Sequence, residues 1–178
     1  MAAAETIAAG ALALSIAAGA AGAVRGVSAG GRQTPGAGAM TGKPAPAFSL
    51  RDLSGRPLDL ASYRGRVVLL DFWATWCVPC REEIPHFVAL QKKYGSKGLA
   101  IIGISMDDEE GPVRDFYRKY GMNYPVAMGD AKLAERYGGI LGLPVAFLID
   151  RTGRIAWRLD GETPAATFEQ HITELLAR

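Results

Sequence analysis

The chain has 178 residues, 49% of them hydrophobic and 21% charged, with a formal net charge of +2. That is room for one ordinary globular domain plus an appendage, and the near-neutral balance argues against a general nucleic-acid binder. The only two cysteines lie three positions apart, and closing so short a loop stabilises little, so they are not a structural staple.

Residues 1–40 are dominated by Ala and Gly, and no charge occurs from Thr6 to Val24. Such a run is long enough to cross a bilayer as a helix, and Ala18, Ala20, Ala21 and Ala23 offer small residues for a signal-peptidase site. Residues 1–24 are therefore expected to be a signal peptide or membrane anchor, with a possible tether through residues 6–24 and an extracytoplasmic domain beyond it. Against this, Glu5 precedes the run without any Lys or Arg, while Arg25, Arg32 and Lys43 follow it. An unstructured extension is the alternative. Residues 25–40, rich in Gly, form a flexible linker, and residues 41–178 the folded domain.

Within that domain, Ala47–Arg51 and Pro57–Leu60 predict two short extended pieces around a turn at Asp52–Gly55. Val67–Phe72 is a continuous apolar, β-branched run of the kind buried on both faces of a sheet. From Pro79 to Tyr94 the pattern is helical, with Ile84, Phe87, Val88 and Leu90 on one side, and Leu99–Ser105 is a second buried strand. Strand, helix and strand make a parallel βαβ unit. Val113, Phe116, Tyr117 and Tyr120 space a further helix, Ala131–Tyr137 a short one, and Val145–Ile149 a third apolar strand. Asp150–Gly153 is a hairpin turn into Arg154–Leu159. Thr163 is expected to cap the last helix, with Pro164 at its first position and Phe168, Ile172, Leu175 and Leu176 facing the sheet. The sum is an α/β fold: a central mixed β-sheet flanked by helices, with an N-terminal β extension and an inserted helical segment.

A Cys-x-x-Cys at the strand-to-helix turn of a βαβ unit is the mark of a thioredoxin-like redox centre. The spacing, with Pro79 inside it, puts Cys77 at the mouth of the helix and Cys80 in its first turn. Unpaired amide donors and the positive end of the helix dipole favour a thiolate there. Cys77 is accordingly the attacking sulfur, and Cys80, shielded one turn in, resolves the mixed disulfide. Arg81 either adds positive charge or is simply solvated. A structural zinc site needs four ligands, and beyond the cysteines only His86 and His171 are on offer. No metal and no cofactor are expected.

Asp71 lies inside the apolar run, six residues before Cys77. A carboxyl buried there has a raised pKa and can exchange a proton with Cys80; the plainer reading is a strand-end Asp facing solvent. Trp73 is expected in the core or cleft floor and Trp76 exposed beside the nucleophile. Pro144 opens the third apolar strand, and a cis bond before it would leave the Leu143 backbone to pair with an incoming peptide. Trp76, Val78, Pro79, Leu143 and Pro144 form the expected substrate-binding set. His86 is read as a surface residue and His171 as structural, and Asp107, Asp108, Glu109 and Glu110 as a solvated loop and helix start.

The run from Asp71 to Pro85, Asp-Phe-Trp-Ala-Thr-Trp-Cys-Val-Pro-Cys-Arg-Glu-Glu-Ile-Pro, closely resembles the TlpA/ResA-type thioredoxin-like oxidoreductases of the redoxin superfamily. The likeness continues in Gly42–Leu50, Tyr63–Val68 and Gly142–Asp150, and covers about residues 41–176. The resemblance implies a thioredoxin fold and a cis proline at Pro144 facing the redox cysteines. It also implies an exported or anchored reductant of protein disulfides acting on partners such as apocytochrome c cysteines or copper-chaperone thiols; a monomer fed by an upstream electron donor is expected. Two departures stand out: Asp71 where many relatives carry Asn, and Val145 where Thr is usual after the proline.

Two other functions compete. Peroxiredoxins of the same superfamily carry Thr three residues, and Pro seven residues, before the reactive cysteine; for Cys77 those positions hold Ala74 and Leu70. A Cu(I)-handling module could use Cys77 and Cys80 as soft thiolate ligands, but no Met cluster or third Cys supports it.

Overall fold

The computed structural model describes residues 40–178. The expected signal peptide or anchor over residues 1–24, and the linker up to residue 39, lie outside the described residues. Met40, the last residue of that linker, packs against the domain core. Among the described residues no helix is long and apolar enough to cross a membrane.

Five strands form the central sheet, ordered in space as β5 (Val126–Met128), β4 (Leu99–Ser105), β3 (Val67–Trp73), β6 (Val145–Ile149) and β7 (Ile155–Asp160). Strand β3 (Val67–Trp73) and strand β4 (Leu99–Ser105) are buried at every residue and pair in parallel from Val67↔Leu99 to Trp73↔Ser105. Strand β6 (Val145–Ile149) runs antiparallel on the other side of β3, with Phe72 opposite Val145. Strands β5 (Val126–Met128) and β7 (Ile155–Asp160) close the two edges. Ahead of the sheet, β1 (Ser49–Arg51) and β2 (Pro57–Asp59) pair as a separate two-stranded ribbon. The expected mixed sheet, N-terminal β extension and inserted segment are all present; the insertion also contains β5, which sequence patterning does not signal.

Side-chain alternation along β3 divides the core. Val67, Leu69 and Trp73 point to one face, with Ile84, Phe87 and Leu90 of helix α1 (Val78–Tyr94), Val113 of α2 (Glu110–Lys119), and Phe168, Ile172 and Leu175 of the last helix. Val68, Leu70 and Phe72 point to the other, with Leu133 of α3 (Ala131–Arg136), Tyr137 and the ribbon residue Leu58. Phe87 and Phe168 meet edge to face at 4.9 Å, clamping α1 to the last helix, α4 (Ala165–Leu176). Asp71, two residues from Leu69 and Trp73, shares the α1 face by the same alternation.

One expected cap is corrected. Pro164 is itself the N-cap of α4, and no side chain caps that end. The Thr163 hydroxyl, one residue too early to reach the first amides, donates to the Gly161 carbonyl at 3.2 Å. Thr163 serves instead through its backbone N–H, which donates to Glu83 Oε1 at 3.0 Å.

Candidate active site

Strand β3 delivers the chain to a turn at the end of the sheet, and α1 starts at once. Cys77 occupies its N-cap, and its Sγ accepts the Cys80 N–H at 3.3 Å. One of the orphan amides of the helix start is thus spent on sulfur. Cys77 and Cys80 are joined as a disulfide with Cα atoms 5.3 Å apart. Cys77 keeps 5% of its surface and Cys80 1%. The opening is narrower than a reachable nucleophile leads one to expect, but it falls on Cys77. Around it Trp76 is 66% exposed and Val78 59%, while Trp73 is fully buried against Phe116, ring centres 5.1 Å apart.

The turn is held from a distance. Asp107, expected to be solvated, is half-buried and accepts the Thr75 N–H at 3.0 Å, the Thr75 hydroxyl, and the Ser105 hydroxyl at 2.8 Å. The Met106 N–H donates to the Trp73 carbonyl at 2.8 Å. Asp107 therefore fixes the backbone two residues ahead of Cys77. Asp108, Glu109 and Glu110 are exposed as expected.

The Leu143–Pro144 bond is cis. Because β6 runs antiparallel to β3, its first residues lie at the same end of the sheet as Cys77. The Pro144 carbonyl accepts the Gly161 N–H at 2.9 Å, so the loop before α4 braces the proline. Pro144 is buried, and Leu143 and Pro79 are half-buried.

Two carboxyls are buried on the α1 side of the sheet, Asp71 of β3 and Glu83 of α1, 1% and 5% exposed. Burial pushes Asp71 well above the usual carboxylate range, and the charge of Glu83 pushes it further. Burial likewise raises Glu83 to about 7, against the opposing Thr163 N–H, with Glu162 adding to the rise. Asp71 is thus the desolvated residue of the first reading and not a solvent-facing strand end. Glu83 is absent from the sequence-derived set; its signal was its place one helical turn after Cys80, in register with Ile84 and Phe87 on the apolar stripe. His86 and Arg81 are exposed. His171 is half-buried and stacks on Trp157 at 4.3 Å. Among the described residues no cluster of three or more His, Cys, Asp or Glu could hold a metal ion.

A Cys-x-x-Cys pair at a helix start, with its first sulfur at the N-cap, can exchange disulfides with another molecule. Known proteins agree. The model of the AhpC/TSA family matches residues 41–158. The thiol-disulfide oxidoreductase ResA of Bacillus thuringiensis subsp. konkukian is 34% identical over 134 residues, covering 75% of this chain and 78% of the relative. A crystal structure of a thiol:disulfide interchange protein, thioredoxin family protein, from Chlorobium tepidum TLS superposes with a TM-score of 0.70 at 35% identity, covering 75% of this chain and 95% of that one. The thioredoxin domain of a thiol-disulfide oxidoreductase from Bacteroides vulgatus gives 0.66 at 29% identity, covering 74% and 97%. The chain belongs to the AhpC/TSA family and, within it, is a thioredoxin-fold thiol–disulfide oxidoreductase of the ResA kind, with Cys77 and Cys80 as its Cys-x-x-Cys pair.

Proposed function

We propose that the protein reduces disulfides of other proteins outside the cytoplasm, with Cys77 as nucleophile, Cys80 as resolving thiol and Asp71 as proton acceptor. The Cys77 thiolate attacks one sulfur of the substrate disulfide, forming a mixed disulfide and releasing the other sulfur as a thiolate. Asp71 takes the proton of Cys80, and the Cys80 thiolate attacks Cys77 Sγ. The Cys77–Cys80 disulfide forms, the substrate's second sulfur leaves, and the two electrons have passed to the substrate. A dithiol donor upstream returns the pair to the reduced state. Trp76, Val78, Pro79, Leu143 and Pro144 make the surface that receives the substrate chain, and cysteines of apocytochrome c are the partner class that the ResA likeness favours.

The observation that carries this reading is the contrast between the two sulfurs. Cys77 keeps the larger opening of the pair and takes the Cys80 amide, while Cys80 is closed off from solvent. Cys77→Ser is expected to abolish turnover, and Cys80→Ser to accumulate a covalent complex with substrate. A Cys80→Ser protein that turned over normally would end the two-sulfur scheme. Direction is tested by equilibrating the protein with glutathione buffers. A potential below that of the glutathione pool supports a reductant; one near about −120 mV, where strong oxidants lie, reverses the assignment. Ala74 and Leu70 stand where a peroxidase would need Thr and Pro, so no rapid thiol oxidation by peroxide is expected in stopped flow.

A further inference from the structure

Among the buried polar atoms without a hydrogen-bond partner, three belong to residues around Gly103 on the α1 side of the sheet: Asp71 Oδ1, Trp73 Nε1 and the Tyr124 hydroxyl. Their placement follows from the strands. Asp71 and Trp73 alternate onto the same face of β3, and Asp71 is opposite Gly103 of β4. Gly103 has no side chain there, and a Cβ at that position would meet Trp73 Nε1 at 3.0 Å and Val126 Cγ2 at 3.1 Å. The Gly103 N–H donates to the Pro125 carbonyl at 3.0 Å, which lays the segment Tyr124–Val126 along Gly103. Tyr124, only 2% exposed, belongs to the same cluster as Trp73, Cys77 and Cys80.

Two donors and a carboxyl, each buried and unpaired, carry a desolvation cost that neighbours in a dry core would not leave standing. None of the three hydrogen-bonds to another. A single water molecule can accept from both donors and donate to the carboxyl. We propose that Tyr124 is a positioning residue for Asp71: its hydroxyl and the Trp73 indole N–H hold a buried water against the Asp71 carboxyl, and this sets the protonation of Asp71 that the Cys80 step uses. The inference rests on Asp71 being the proton acceptor for Cys80. The charge of Asp71 in turn raises the Tyr124 phenol, behind the larger effect of burial and ahead of Tyr117, as expected of a hydroxyl that stays protonated and donates. The titratable groups that act on Asp71 are Glu83 from α1 and Tyr124 ahead of β5.

The test uses the reduced full-length protein, Tyr124→Phe, Asp71→Asn and the double variant. Two quantities are read: the pH profile of mixed-disulfide resolution by Cys80, and the carboxyl titration of Asp71 by carbon NMR. Losing a donor to the charged form is expected to raise the Asp71 pKa by about one unit and slow resolution about tenfold below that pKa. In the Asp71→Asn background the same Tyr124 change is expected to do nothing further. If Asp71→Asn slows resolution but Tyr124→Phe leaves the Asp71 titration in place, the positioning role is wrong and the proton relay stands. If Asp71→Asn resolves at the normal rate, the relay itself fails, and the inference with it. In the unaltered protein, a magnetisation-transfer contact between the Trp73 indole proton and a long-lived water is expected. Its absence would overturn the proposal without any variant.

Discussion

The backbone N–H of Thr163 donates to Glu83 Oε1 at 3.0 Å, and so ties the helix of Cys80 to the loop whose Gly161 holds the Pro144 carbonyl. One buried carboxyl thus joins the two parts of the site that come from distant sequence. The cost of burying it depends on pH.

Between 4.5 and about 7, folded Glu83 keeps a proton that the unfolded chain has released. Stability therefore falls as pH rises through this window, and Asp71, raised in the same direction by burial, adds to the fall. Glu83→Gln keeps the acceptor for Thr163 and removes the ionisation. At pH 8 it is expected to be more stable than the unaltered protein by up to about 3 kcal/mol, and at pH 4 indistinguishable from it. Denaturant melts at the two pH values measure this. Glu83→Ala, which leaves the Thr163 N–H without its acceptor, is expected to lose about 1–3 kcal/mol at pH 4.

Asp107 restrains the turn ahead of Cys77 through Thr75. Asp107→Ala is expected to cost about 1–3 kcal/mol in a denaturant melt, because two donors of Thr75 and one of Ser105 lose their partner. It should also lower the rate of substrate reduction. Ser105→Ala leaves the Thr75 contacts in place and should keep the rate, which separates the turn restraint from general destabilisation.

Trp76 is exposed and makes no part of the core. Trp76→Ala is expected to leave stability within about 0.5 kcal/mol. It should raise KM for a protein disulfide while leaving the reduction of a small aromatic disulfide nearly unchanged. Equal losses on both substrates would place Trp76 in the chemistry of the sulfur and not in docking.

Much of the scaffold is legible locally. The run Val67–Trp73 is apolar at all positions but Asp71, and the cysteine spacing at its end marks both the turn and the helix start. The features that patterning misses are made by tertiary contact. Strand β5 is three residues long and exists by pairing with β4; three residues carry no period. Asp107 sits in an acidic stretch that has the look of solvent-facing loop, and its role comes from Thr75, 32 positions away. Glu83 left a trace on its helical stripe, whereas Tyr124 left none, because only the register of β4 against β3 and β5 brings its segment alongside Gly103, the residue opposite Asp71. Thr163 matches the preference for a cap, but Pro164 takes that position and the hydroxyl falls short.

The most direct test is the rate at which reduced Cys77 is alkylated by iodoacetamide across pH 4–10, with mass spectrometry assigning the label. A sulfur at the N-cap of α1 is expected to react with a midpoint at least about one unit below the 8.5 of free cysteine, and well ahead of Cys80. A profile for Cys77 that overlays free cysteine, or labelling of Cys80 first, would contradict the account.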